Sequence, residues 1–259
     1  MNGMDVVRHG IDMLLRNLGP ALRVSAGPVL IAVIVTAVLG ALGIGAALGP
    51  GADFSQPAEV GAGWGLTLFI GTLLAMVLWL FVLSWVAVAW HRYILLEEQP
   101  GLLPPLRSDL VWPYLGRTVL LALLLILLAI PVSIVAGFLI YGAGPENLVA
   151  VFVVQTVLSL LLGWVAMRLS LVLPARALDR PLRFGESWAA TAPVSGAIFV
   201  VVLVLAVINA VLALLFGALG DNLVTVLLSL AVQWFTAMLG LSVLTTLYGA
   251  LIERRTLAA

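Results

Sequence analysis

The chain has 259 residues, is 63% hydrophobic, carries only 9% charged residues and has zero net charge. A soluble domain carries about 25% charged residues, so this composition excludes an ordinary water-soluble fold. Long apolar runs exclude a membrane β-barrel, whose strands alternate in short segments. With no Cys there are no disulfides or thiolate metal sites, and His9 and His91 stand far apart, in no metal-ligand pattern. No metal or cofactor is expected.

The fold expected is therefore all-α, a single polytopic membrane domain. It begins with an amphipathic arm (1–25), helical over 5–22. Val7, Ile11, Leu14, Leu15, Leu18 and Leu22 fall on one face, and Asp5, Arg8, Asp12, Arg16 and Arg23 on the other. Gly19-Pro20 is expected to break it. Two readings are open: a lead-in packed on the bundle, or a helix lying in the lipid surface. The first long apolar run starts near Ala26 and is preceded by acids, which does not fit a cleavable signal peptide.

Six spans follow, at about 27–48, 66–90, 118–140, 148–168, 195–217 and 223–251, since each reaches the roughly 20 apolar residues that cross a bilayer. Short connections pair them as three hairpins, and a weak likeness among the exits at Trp85, Trp164 and Val243 raises a threefold repeat. The connections alternate in charge. Segments 49–65, 141–147 and 218–222 hold Asp53, Glu59, Glu146 and Asp221 and no Arg; the opposite side holds all twelve basic residues, every one an Arg, with eight acids. One side is −4 and the other +4. Arginine-rich loops remain in the cytoplasm, so both termini are expected there, in a bacterial inner membrane. Trp64 and Tyr141 mark the outer interface, and Trp90, Tyr93, Trp112, Tyr114, Trp188 and Tyr248 the inner one. Mid-span Trp79 and Trp234 read as packing residues.

Within the spans no Asp, Glu, Lys or His occurs between the ends. This weighs against proton-coupled transport and against intramembrane hydrolysis, which need titrating groups. The amides Gln155, Asn209 and Gln233 stand out, because an unpaired amide in hydrocarbon costs several kcal/mol. They read either as interhelical glue or as the lining of a polar groove. Pro131 is expected to bend span three, and Gly45 and Gly49 form a GxxxG spacing.

The segment Arg168–Trp188, RLSLVLPARALDRPLRFGESW, carries Arg168, Arg176, Arg180 and Arg183. Arg168 is expected to close span four, either snorkelling to the headgroups or holding an anionic headgroup in a cavity. Pro174 marks a break. Asp179 reads as a cap and Pro181 as an early helical residue of a short interfacial helix with Leu182, Gly185, Trp188, Ala189 and Ala192 towards the membrane. Its arginines would then sit at phosphate level, each attracted by about 1 kcal/mol to anionic lipid, with Asp179 and Glu186 as competing partners. The loop 91–117 offers His91, Arg92, Glu97 and Glu98; two adjacent carboxylates diverge on a helix and are expected to meet arginines of other segments. No nucleotide-binding motif is present.

The pattern of Arg168, VLPA at 172–175 and SWAAT at 187–191 before another span resembles the YciC-like group of bacterial inner-membrane proteins, and the related membrane domain fused to glycerophosphodiester phosphodiesterases. The resemblance implies a lipid-associated or envelope-related integral protein. This chain carries no hydrolase barrel, so that activity is not implied.

Three functions are open. The first is a non-enzymatic membrane protein binding anionic lipid, or a membrane or cytoplasmic partner, through Arg92, Arg168, Arg176, Arg180, Arg183 and Trp188. The second is a transporter, channel or permease subunit using Gln155, Asn209 and Gln233. The third is a lipid-directed enzyme using His91, Glu97 and Glu98.

Overall fold

The computed structural model describes residues 2–48, 62–101, 103–144, 146–220 and 222–256. Asp53, Glu59, Gly49 and Asp221 lie outside the described residues, and for Gly45 and Trp64 only the helical backbone is described. The described chain forms α1 (Gly3–Arg16), α2 (Leu18–Leu48), α3 (Ala62–Leu96), α4 (Ser108–Ala143), α5 (Leu148–Leu169), α6 (Val172–Ala177), α7 (Phe184–Thr191), α8 (Ser195–Leu219) and α9 (Leu223–Leu251), with a 3-10 turn at Ala192–Val194. No strand occurs among the described residues.

Six stretches are long and apolar enough to cross a membrane: Leu18–Leu42, Gly65–Leu96, Ser108–Ala143, Leu148–Ala177, Phe184–Leu219 and Leu223–Leu251. Helix is the structure expected there, because hydrocarbon offers the backbone no other hydrogen-bond partner. The sixth coincides with the span read from the sequence, the second to fifth run longer, and the first begins earlier, at Leu18. The 36 residues of α4 make a rod of about 54 Å against a hydrocarbon core of about 30 Å. Its extra turns, Ser108 to Arg117, project at the arginine-rich end. The helix continues without interruption through Pro113 and Pro131. At the opposite end the hairpin turns are capped by asparagines: Ala150 N–H donates to Asn147 Oδ1 at 3.1 Å, and Thr225 N–H to Asn222 Oδ1 at 3.0 Å.

Packing is concentrated at one end. Buried residues cluster at Val82–Leu95 of α3, Leu110–Leu115 of α4, Ile198–Val202 of α8 and Met238–Tyr248 of α9. The far halves contain no buried side chain over residues 65–81, 148–167, 203–219 or 223–237. In lipid an apolar side chain gains nothing by turning inward, whereas at the wet end the hydrophobic effect operates normally.

The N-terminal helix is part of that core. α1 packs against both α8 and α9, and Val6, Val7 and Leu14 are buried. Glycines permit the approach: a Cβ on Gly3 would lie 2.4 Å from the Ala197 carbonyl oxygen, and one on Gly10 would lie 2.8 Å from Val243 Cγ2. Of the two readings of this arm, packing on the bundle is the one observed. Leu15, Leu18 and Leu22, expected on the same face, are exposed. The break falls at Asn17 instead of Gly19-Pro20, because Asn17 makes a joint there. Its Nδ2 donates to the Met13 carbonyl at 2.8 Å, and its Oδ1 accepts from Tyr93 O–H at 2.7 Å. Pro20 then falls in the first turn of α2, where no intrahelical N–H is required. Whereas α2 packs along α3 and α4 along α5, α8 and α9 touch little, since α1 lies against both. The third hairpin is therefore built differently from the first two.

Gly10→Leu should lower the thermal unfolding midpoint in detergent, by overpacking of about 1–3 kcal/mol. Gly19→Ala, with nothing within 4 Å of the new Cβ, should leave the midpoint unchanged or raise it slightly.

Candidate functional site at the arginine-rich end

The segment after α5 forms the floor of this end. α5 stops at Leu169, and the chain turns at Ser170–Leu171, earlier than the expected break at Pro174. Pro174 instead lies in the first turn of α6, which needs no donor from it. Leu171, Val172, Ala175 and Ala177 are buried, and α6 packs against α3, α4 and α9. Its end is a Schellman motif: Arg180 N–H donates to the Ala175 carbonyl at 2.9 Å and Asp179 N–H to that of Arg176 at 3.1 Å. Asp179 sits at φ 54°, so it closes α6 and does not cap the next helix. Pro181 lies before α7, which begins at Phe184 and is capped by Glu186, whose Oε2 accepts from Arg183 N–H at 2.7 Å.

Arg168 does not snorkel; it is 5% exposed and folds back under α7. Its Nε donates to Thr191 Oγ1 at 3.1 Å and its Nη2 to the Trp188 carbonyl at 2.8 Å. Its guanidinium carbon lies 3.5 Å from the centre of the Trp188 ring and 5.0 Å from that of Trp164. Ser187 Oγ donates back to the Arg168 carbonyl at 2.7 Å, and Trp164 Nε1 donates to the Ser195 carbonyl at 3.0 Å. The arginine thus joins α5 to α7, and Trp164 beside it ties α5 to the start of α8. Its charge is met by the carbonyl end of α7 and two π faces, and no carboxylate among the described residues pairs with it.

Arg92 is also used internally. Its Nε donates to Glu98 Oε2 at 2.8 Å, its Nη2 bonds Glu98 Oε1, and its Nη1 donates to the Ala177 carbonyl at 3.0 Å, at the end of α6. Arg107 stands 3.5 Å from the same carboxylate. The hydrogen bond from Arg92 holds the Glu98 carboxyl below its usual range, against a smaller opposing effect of burial. Neither Glu97 nor Glu98 lies on a helix as expected, because α3 ends at Leu96 with Glu97 at φ 57°. Glu98's partners come from its own segment, not from others.

His91 is fully buried. Its Nδ1 lies 2.8 Å from Thr245 Oγ1, and Tyr114 Oη lies 3.4 Å from its Nε2. The Thr245 hydroxyl donates to the Leu241 carbonyl at 2.7 Å. This assigns the proton to Nδ1, which donates to Thr245, and leaves Nε2 to accept from Tyr114. The group ties α3, α4 and α9 together. Glu98 is held instead by Arg92 and Arg107, so His91 and Glu98 share no contact and do not form the acid–base constellation considered above.

The remaining arginines are at the surface. Arg176 pairs with Asp179 at 3.2 Å, and Arg180 with Glu253 at 3.3 Å. Arg183 is exposed, and only its backbone is engaged. Trp188 is 38% exposed. Arg117 reaches over the Phe184 ring, 6.0 Å from its centre, linking α4 to α7. Gln155, Asn209 and Gln233, on α5, α8 and α9, are all exposed. Asn209 Nδ2 bonds the Leu205 carbonyl of its own helix at 2.8 Å, and no two of the three bond each other. Interhelical polar bonds are made by residues not singled out for that role: Trp234 Nε1 to Ser25 Oγ at 2.8 Å, Tyr93 to Asn17, and His91 to Thr245. Tyr93 and His91 lie at the wet end of α3, whereas Trp234 makes its bond from mid-span.

The molecule is an all-α, multi-pass membrane protein with six spanning helices and a single packed, arginine-rich end. No family model, no curated protein and no solved structure matches this chain.

Arg168→Met should cost about 2–4 kcal/mol, since it removes two charge-assisted bonds and the stacking of the cation on Trp188. The check is a lower unfolding midpoint together with faster hydrogen exchange in α7. Glu98 has a lowered folded pKa, so its contribution to stability is present above the unfolded value of 4.5 and is lost as pH falls through the folded one. Protection against exchange across residues 97–107, taken relative to the intrinsic rate at each pH, should therefore fall on acidification in the wild type, and should be low and much less pH-dependent in Glu98→Gln.

Proposed function

We propose that this is a non-enzymatic integral membrane protein that gathers anionic lipid around its arginine-rich end, with that end cytoplasmic and the host membrane a bacterial inner membrane. The observation that carries the reading is the division among the arginines. Arg92 and Arg168 are consumed by the fold, while Arg8, Arg16, Arg23, Arg183 and Arg254 are exposed with no ion pair among the described residues. Trp112 and Trp188 are exposed at the same arginine-rich end. Exposed arginine and exposed tryptophan at one end suit a headgroup layer, where the ring occupies the interface and the cation meets phosphate. The twelve-to-none asymmetry of Arg between the two sides supports the orientation. The likeness of residues 168–191 to the YciC-like group is in keeping with a lipid-associated role.

Native mass spectrometry from mixed phosphatidylcholine and phosphatidylglycerol nanodiscs tests this. Phosphatidylglycerol should be enriched on the wild type, and the enrichment should fall by about half in Arg23→Gln/Arg183→Gln, with each exposed charge worth about 1 kcal/mol at an anionic surface. Equal retention of both lipids by the wild type would remove the reading.

A further inference from the structure

A cleft of about 490 Å³ opens where α3 and α9 end, closed on its third side by the linker after α6. Its polar wall is built from Arg180, Glu253 and Arg255, and its apolar wall from Leu95, Leu96, Leu182 and Ile252. Glu253, only 13% exposed, stands between the two arginines: Arg180 Nη1 lies 3.3 Å from Oε1, and Arg255 Nε lies 2.7 Å from Oε2. The second contact is not a completed hydrogen bond, and Oε2 is buried without one. Arg255 is anchored by Nη2, which donates to the Leu95 carbonyl at 2.7 Å. Nη1 of Arg255, and Nε and Nη2 of Arg180, have no protein acceptor among the described residues.

We infer that this cleft is a binding site for a phosphodiester carried on an apolar body. The carboxylate between the two guanidinium groups holds together cations that would otherwise repel, and leaves the triad with one net positive charge. One phosphodiester oxyanion balances that charge and accepts from the uncommitted N–H groups of both forks, the bidentate chemistry for which guanidinium is suited. The apolar wall receives the adjoining chain. Lysine in either place would supply charge without the second donor directed at the same phosphate. This inference rests on the lipid reading for the origin of the ligand, but not for the chemistry of the clamp, which would also accept a soluble phosphate ester.

The test uses the full chain in phosphatidylcholine nanodiscs doped with phosphatidylglycerol, with the lipid that resists delipidation counted by native mass spectrometry. One phosphatidylglycerol per chain should be retained. Arg180→Gln, at a side chain 65% exposed with a single contact, should weaken its retention about tenfold, the loss of one charge-assisted bond. Leu182→Trp, which fills the cleft and leaves its charges intact, should do the same. Arg183→Gln should reduce the loosely held lipid and spare the retained one, so that failure of the rim and failure of the cleft are separable. Displacement of the retained lipid by glycerol 1-phosphate or inorganic phosphate would identify a soluble phosphate as the ligand of the same clamp, and resistance to both would identify the lipid. Retention unchanged by both Arg180→Gln and Leu182→Trp overturns the inference.

Discussion

A bilayer interior gives apolar side chains no reason to prefer each other over lipid. In this chain that constraint decides where the fold is specified. The helices must form throughout, because the backbone has no alternative partner in hydrocarbon, yet their far halves contain no buried residue over long stretches. Close packing is concentrated where the helices leave the membrane at the arginine-rich end, and α1, α6 and α7 are added there. Each of these short elements fills space that the six spans leave open. α1 lies against α8 and α9, α6 sits among α3, α4 and α9, and α7 covers the end of α5.

Polar side chains hold that end in one arrangement. Arg168 joins α5 to α7 through two hydrogen bonds and a stacked ring, while its own carbonyl accepts from Ser187. Arg92 connects the end of α3 to the end of α6 and to the following loop. His91, Thr245 and Tyr114 connect α3, α9 and α4. An unpaired polar group in such surroundings costs more than a pair gains. These networks therefore act mainly by penalising other arrangements, which complements apolar packing that would by itself tolerate sliding.

The sequence shows the six spans because hydropathy over some 20 residues is a property of the segment alone. It does not show what covers a face. The periodicity of residues 5–22 identifies an apolar stripe, of which Val7 and Leu14 are turned inward and Leu15, Leu18 and Leu22 are not, but lipid and protein make the same demand on such a stripe. Gly3 and Gly10 are the residues that distinguish the two, since only a neighbouring helix requires a missing Cβ. Arg168 was legible as the end of span four but not as a buried residue, because its partners Trp188 and Thr191 lie about 20 positions away across a turn. The amides were legible as exceptional, yet Gln155, Asn209 and Gln233 face outward on separate helices. Exceptional composition locates a residue along the chain and does not say which neighbours it meets.

The use of Arg to the exclusion of Lys acquires a physical meaning from these placements. Arg168 needs a flat cation that can stack on indole and donate in two directions, and Arg92 needs a fork that matches a carboxylate while a third N–H reaches a carbonyl. A lysine ammonium satisfies neither geometry. For topology alone the two residues are equivalent, so the bias reflects what happens after insertion. The same fork geometry is what the exposed arginines offer to phosphate. In the proposed reading one side-chain chemistry therefore acts twice: turned inward it fixes the end of the bundle against carbonyls and carboxylates, and turned outward it meets the headgroups that surround that end.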